Sequence, residues 1–211
     1  MSKQRLGIGI VGSGFNARFH MQGFVGVRDA DVLGVWSPNA ERAADAAAHA
    51  RRLEVGECRP FASISAMVED PAIDAIWLCG PNFARVENVE EIVSSVFRGR
   101  AQLRGLACEK PLARNVAEAE KVAALAEQVG LVTGYLENQL FAPQVEYGRA
   151  LLWARGAATT GRPYLARAAE EHSRLGEHGR VLRHVRVEPS EEVGVRLAGA
   201  PGDAERRGRA A

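Results

Sequence analysis

Apolar residues in this chain fall into two alternating rhythms. Short runs at residues 6–11, 32–36, 73–79, 106–108 and 131–135 have the length and aliphatic content of buried strands. Between them apolar positions recur every three or four residues. Residues 15–24, 40–52 and 143–155 read as helices, and Val86, Val89, Ile92, Val93, Val96 and Phe97 share a helical spacing. A shorter helical turn is expected at 63–69, ending before Pro71. Asn39 is placed to cap the helix at 40–52. Asn115-Val116-Ala117-Glu118 has the form of a capping box. It opens a helix with Val116, Ala119, Val122, Leu125 and Val129 on one face and Gly130 as its stop. Pro143 suits the first turn of the last helix. Parallel strands need crossover connections, so this alternation predicts an α/β fold, a doubly wound parallel sheet with helices on both faces.

The rhythm breaks after Ser173. Residues 174–211 contain no Phe, Tyr, Trp, Met, Cys, Ile, Lys, Asn, Gln or Thr. Two weak strand signals there, 181–187 and 193–197, flank Glu188-Pro189-Ser190-Glu191-Glu192 and predict no more than a weak hairpin. Arginine outnumbers lysine 24 to 3 across the chain, which points to a GC-rich coding sequence. Two readings of the tail stand side by side: an alanine- and arginine-rich irregular segment, or a GC-rich gene read out of frame after about codon 173. The expected organisation is therefore a domain at 1–134, a crossover helix and first strand of an incomplete second α/β domain at 135–173, and a low-complexity tail at 174–211.

Composition narrows the function classes. Apolar residues make up 46% and charged residues 25%, ordinary for a globular protein, and the formal net charge is +1. Nucleic-acid and membrane-surface binding usually need a basic excess, so neither partner is expected. No apolar run approaches about 18 residues, so no transmembrane helix is expected. The start, with Gly7 and Gly9 breaking a short apolar run, reads as a first strand and not as a signal peptide. Cys58, Cys79 and Cys108 are odd in number and widely spaced. They fit a reducing cytoplasm and buried packing, with no disulfide frame or metal site.

The chemistry-bearing stretch is Gly12-Ser13-Gly14-Phe15-Asn16-Ala17, placed between the first strand and the first helix. This is the G-x-G-x-x-A form of the dinucleotide fingerprint of Rossmann-type domains. Gly12 permits a tight turn, Gly14 lets a pyrophosphate approach the backbone, and Ala17 lets the helix lie close on the sheet. The free amides and positive end of that helix favour the pyrophosphate. The expected cofactor is NAD or NADP. An acid at the end of the second strand would bind the ribose 2′-hydroxyl of NAD. The stretch here is Trp36-Ser37-Pro38-Asn39, without one. Ser37 and Asn39 are candidates to hydrogen-bond the ribose. Arg42 is either a partner for a 2′-phosphate or a solvated helix residue, so the choice between NAD and NADP stays open.

Taken with the glycine motif, Gly80-Pro81-Asn82 and Glu109-Lys110-Pro111 make residues 5–173 resemble the glucose–fructose oxidoreductase and inositol dehydrogenase family, Gfo/Idh/MocA. The resemblance implies a Rossmann domain followed by an α/β domain with an open sheet. It implies NAD(P)-dependent hydride transfer on sugars, cyclitols and similar polyols. By that likeness Pro81 and Asn82 line the cofactor, and Glu109 and Lys110 sit near the nicotinamide ribose. Lys110 also contacts the substrate. An ammonium there has a task in hydride transfer, because it can hold the alcohol oxygen while its proton departs. Assembly into homo-oligomers is implied through the second domain, which this chain largely lacks.

The chain departs from that pattern in three places. Arg85 stands where relatives often have a histidine, and Leu140 where they often have an arginine. Relatives also carry an Asp and a His on a glycine-rich segment of the second domain. Here Asp203 has no histidine after it, and His178 and His184 lack a matching acid. His20 is expected at a surface or packing position, His49 in solvent, and His172 at a strand end. Three readings remain: an NAD(P)-dependent oxidoreductase of a sugar-like alcohol, a nucleotide-binding module without catalysis, or a product that folds poorly.

Overall fold

The computed structural model describes residues 5–156, 159, 165–174 and 177–186. The chain divides into two units, residues 1–140 and 141–211. The first unit carries β1 (Leu6–Val11), α1 (Phe15–Gly23), β2 (Ala30–Trp36), α2 (Ala40–Arg52), β3 (Arg59–Pro60), α3 (Ile64–Val68), β4 (Ala75–Leu78), α4 (Arg85–Phe97), β5 (Gly105–Glu109), α5 (Val116–Gln128) and β6 (Val132–Leu136). Its sheet is six-stranded in the order β3-β2-β1-β4-β5-β6, and every pairing is parallel. The order reverses beside β1, the switch point of a doubly wound Rossmann sheet.

Side chains alternate across this sheet, so each strand feeds two separate cores. Ile8 and Ile10 face one side with Ala17, Met21 and Phe24 from the α1 region and the alanines of α2. Val11, Ile76, Leu78, Leu106 and Cys108 face the other, under α3, α4 and α5. The ladder is in register along its upper edge: Trp36, Val11, Leu78, Cys108 and Tyr135 form one row across five strands. At the lower edge Asp74 donates its amide to the Gly7 carbonyl, and its carboxylate accepts from the Gly7 amide, both at 2.7 Å.

Local signals set most element ends. Asn39, Ser63 and Asn115 accept from the amides of Arg42, Ala66 and Glu118. The capping box is incomplete, however. The Glu118 carboxylate turns to the amide and guanidinium of Arg114, a cation that outcompetes a neutral amide. Val116, expected on the buried face of α5, is exposed, while Val122 and Ala126 carry the packing. Pro60 is tolerated in β3 because that strand is the sheet edge. His49, expected in solvent, is half-buried with an unpartnered Nε2. Burial first, then Arg18 and Arg52, hold it below the ordinary imidazole value.

In the second unit, α6 (Pro143–Arg149) begins on its proline and continues into a π-helical turn, Ala150–Gly156. β7 (Leu165–Arg174) and β8 (Glu177–Arg186) pair antiparallel, with Leu165 opposite Arg186 and Arg174 opposite Glu177. The described part of the 181–187 signal thus pairs with the strand before it. Residues 187–211, including that second signal and most of the expected tail, lie outside the described residues.

Candidate functional site

The register row decides where the site forms. Because Trp36, Val11, Leu78 and Cys108 lie side by side, Ser37, Gly12, Cys79 and Glu109 leave or end their strands side by side, about 4.8 Å apart per strand. The carboxyl ends of parallel strands at a switch point are where such sheets bind ligands.

Gly12 and Gly14 occupy this edge for different reasons. Gly12 has φ +121°, and its amide donates to the Trp36 carbonyl at 2.8 Å. A Cβ there would stand 3.0 Å from backbone atoms of Cys79 and Gly80. The fold itself requires glycine. Gly14 is the N-cap of α1 at φ −79°, and a Cβ would meet nothing within 4 Å. The protein leaves room there that it does not use. α1 has neither a side-chain cap nor an acid in its first turn, so no side chain of that turn neutralises its opening amides. Ala17 is fully buried against the sheet. Phe15 is exposed and stacks on Phe19 with ring centroids 6.2 Å apart; Asn16 is half-buried beside it.

A cavity of about 340 Å³ opens at this turn, within the roughly 300–1,000 Å³ of small-molecule sites. Its walls bring together Gly12, Ser13, Gly14, Ser37, Arg42 and Pro81, with Trp36, Phe83 and Asn88. Among the described residues Arg42 is its only charged lining residue. The Ser13 and Ser37 hydroxyls are hydrogen-bonded at 2.9 Å. Phe15, Asn16, Ala17, Asn39, Asn82, Glu109 and Lys110, also expected at the site, lie outside these walls. Asn39 Oδ1 accepts from the Arg42 amide at 2.9 Å and so caps α2. Asn82 begins a single 3-10 turn, Asn82–Ala84. Glu109 and Lys110 stand two strands away on β5 and just after it.

Glu109 alternates onto the α1 side of the sheet, opposite to Cys108, and meets His20. Nε2 lies 2.9 Å from Oε1, and the side chains are 19% and 10% exposed. With the carboxylate ionised, Nε2–H is the donor. Lys110 follows, exposed, and its bond to Pro111 is cis. Arg85 fills the place expected of a histidine. Fully buried, it donates to the Leu78 carbonyl at 2.8 Å and the Gly80 carbonyl at 3.2 Å. It thereby fixes the chain leaving β4 beside the glycine turn. Burial pushes the Cys58 and Cys79 thiols up to about 12, with Glu109 a second cause at Cys79, and pushes Cys108 up as well. These are packing thiols and not nucleophiles.

A larger cavity, about 500 Å³, lies between α5 and the β5–β6 edge. Leu106, Leu112, Val122, Leu131 and Tyr135 line it, on the sheet face opposite to Glu109. Its lining is mostly apolar, with Glu127 and Thr133 as further polar side chains. Among the described residues no cluster of His, Cys, Asp or Glu could hold a metal ion, and no helix is long and apolar enough to cross a membrane.

The residues at the switch point fit a dinucleotide. Open space over Gly14, unneutralised helix amides and a lone cation at the cavity wall all suit a diphosphate. His20, Phe83, Asn88 and the structural part of Arg85 were not evident from sequence. The helical spacing of His20 from Ala17 was the available hint.

Known proteins bear the same features. Residues 6–136 match the Gfo/Idh/MocA family model, described as an oxidoreductase family with an NAD-binding Rossmann fold. The chain is 28% identical over 143 residues to UDP-N-acetylglucosamine 3-dehydrogenase of Acidithiobacillus ferrooxidans, covering 67% of this chain and 40% of that protein. It is 28% identical over 162 residues to 1,5-anhydro-D-fructose reductase of Ensifer adhaerens, covering 75% and 43%. The chain thus spans about two-fifths of the length of these relatives. In fold it is similar to myo-inositol dehydrogenase from Lactobacillus casei, solved with NAD(H) and myo-inositol. The TM-score is 0.63 at 19% identity, over 78% of this chain and 45% of that one. By its matched residues and its switch-point architecture, the chain belongs to the Gfo/Idh/MocA family of NAD-binding oxidoreductases.

Proposed function

We propose that this chain binds NAD(P) at the β1–α1 turn and serves hydride transfer on a sugar-like alcohol, with Lys110 at the substrate. The observation that carries the reading is the Gly12–Gly14 turn opening an uncapped helix onto a cavity whose one charged wall residue is Arg42. The two curated relatives, named for a nucleotide-sugar dehydrogenase and an anhydrosugar reductase, support the substrate class.

In this reading Gly14 and the first amides of α1 hold the pyrophosphate. Phe15 and Asn16 flank it, Ser37 and Arg42 face the adenosine ribose, and Asn39 holds the start of α2 that presents Arg42. Pro81 and Asn82 border the cofactor path toward β5. The nicotinamide, when bound, supplies the hydride acceptor or donor. Glu109 and Lys110 stand at its ribose, and the Lys110 ammonium holds the substrate hydroxyl oxygen and lowers the cost of its losing a proton. Among the described residues no carboxylate lines the cavity, so NADP is accepted along with NAD. The domain boundaries that go with this are 1–134 for the cofactor domain and 135–173 for the entry to a substrate domain.

Titration with NAD and NADP, followed by reduced-nicotinamide absorbance across a panel of polyols and nucleotide sugars, tests the reading. Binding with substrate-dependent absorbance change is expected. No binding of either dinucleotide to folded protein overturns it. Binding without turnover favours the second reading, a nucleotide-binding module without catalysis.

A further inference from the structure

The Glu109–His20 hydrogen bond has no task in the chemistry above, which puts Glu109 at the nicotinamide ribose and leaves His20 out. It joins the last residue of β5 to a residue on α1, 89 positions apart in sequence. Both side chains are largely removed from water. A carboxylate in such a place is costly unless paired, and a glutamine or leucine would fill the space at less cost. Among the described residues His20 makes the one side-chain hydrogen bond to Glu109, and Oε2 is buried with no partner. The orientation of the carboxylate therefore depends on the imidazole. Through the chain it also bears on Lys110, the next residue, which is exposed at the strand edge.

The same helix starts at the pyrophosphate turn. Ala17 fixes its distance from the sheet, and His20 lies three residues further along on the neighbouring face. One rigid element thus reaches the exit of β1 at its first turn and the end of β5 at its second.

We propose that His20 is a positioning residue for the nicotinamide half of the cofactor site. Its Nε2–H holds the Glu109 carboxylate against α1 and so sets the Glu109–Lys110 end of β5 relative to the Gly12–Gly14 turn. The proposal rests on the dinucleotide reading above, and two ligands separate the two ideas. ADP occupies only the adenosine and pyrophosphate side, whereas NADH occupies both halves.

Calorimetric titration of the full chain with ADP and with NADH tests it. His20→Ala is expected to leave ADP affinity within about twofold and to weaken NADH about tenfold, the usual loss for a hydrogen bond to a charged group. His20→Gln, which keeps a donor, recovers most of the loss. Equal weakening of both ligands, or unchanged NADH affinity, overturns the proposal while leaving the dinucleotide reading in place. Wild-type protein that binds neither ligand overturns both. If His20→Ala melts below the assay temperature, His20→Phe, which fills the space without a donor, reads the same contact. A selective loss of NADH is expected there too, and its absence is equally decisive.

Discussion

Two glycines two positions apart make the sharpest test, because the fold needs one and the proposed ligand site the other. Gly12→Ala places a side chain at φ +121°, with its Cβ 3.0 Å from the backbone of Cys79 and Gly80. The handed penalty is about 1–2 kcal/mol. The crowding adds about 1–3 kcal/mol, because backbone and not a flexible side chain must move. A total near 2–5 kcal/mol lowers Tm by roughly 4–20 °C for a chain of this size. Gly14→Ala meets nothing within 4 Å and keeps an ordinary φ of −79°. Alanine is a poorer N-cap than glycine by up to about 1 kcal/mol, offset by a similar loss of unfolded-state entropy. Its Tm should stay within roughly 3 °C of wild type. Its Cβ stands where the pyrophosphate would lie, so NADH affinity should fall at least tenfold, about 1.4 kcal/mol. Circular-dichroism melts and calorimetric titration read the two effects separately. A Gly14→Ala protein with wild-type affinity refutes the assigned site. A Gly12→Ala protein with a wild-type melt refutes the steric account of that turn.

Further outcomes are expected elsewhere. Arg42→Ala should weaken NADP about three- to tenfold and NAD much less, since an exposed guanidinium on a phosphate is worth about 1 kcal/mol; equal effects on both would remove Arg42 from the ribose. Arg85→Met should cost roughly 2–4 kcal/mol in a denaturant titration, because the Leu78 and Gly80 carbonyls lose their buried donor; a neutral result would show that water replaces it. The buried thiols bind their protons more tightly folded than unfolded. The stability they contribute is complete below the ordinary thiol value of 9.0 and is lost as pH rises toward about 12. Cys58→Ala should therefore flatten the alkaline limb of the stability curve, and an unchanged limb would count against its burial. Thiol reagents at pH 8 should modify Cys58 and Cys108 only after unfolding, as followed by mass spectrometry.

Signals confined to a few residues were legible from the sequence. The caps at Asn39 and Asn115, the proline start of α6 and the glycine turn each act within a turn of chain, and each is present. Ala40–Arg52 forms from alanines and charges whose spacing alone marks the buried side. What escaped depends on contacts distant in sequence. Arginine on a helix reads as solvated, yet Arg85 is buried because two strand-exit carbonyls point at it. His20 reads as a surface or packing residue, and only the register of β5, which turns Glu109 toward it, shows its partner. Asn39 shows the reverse case: its cap was visible, and that same bond takes up the oxygen also considered for the ribose. β3 is two residues long, too short for any periodicity.

The straight row from Trp36 to Tyr135 constrains how this gene can vary in length. Removing one residue inside β4 or β5 would turn every later side chain of that strand to the opposite face. Glu109 would swing away from His20, and Cys108 would leave its core. The segment 98–104 enters β5 from below and can absorb an added residue without disturbing the upper rim. Natural insertions and engineered tags should therefore be tolerated at the bottom of the sheet and excluded from its strands.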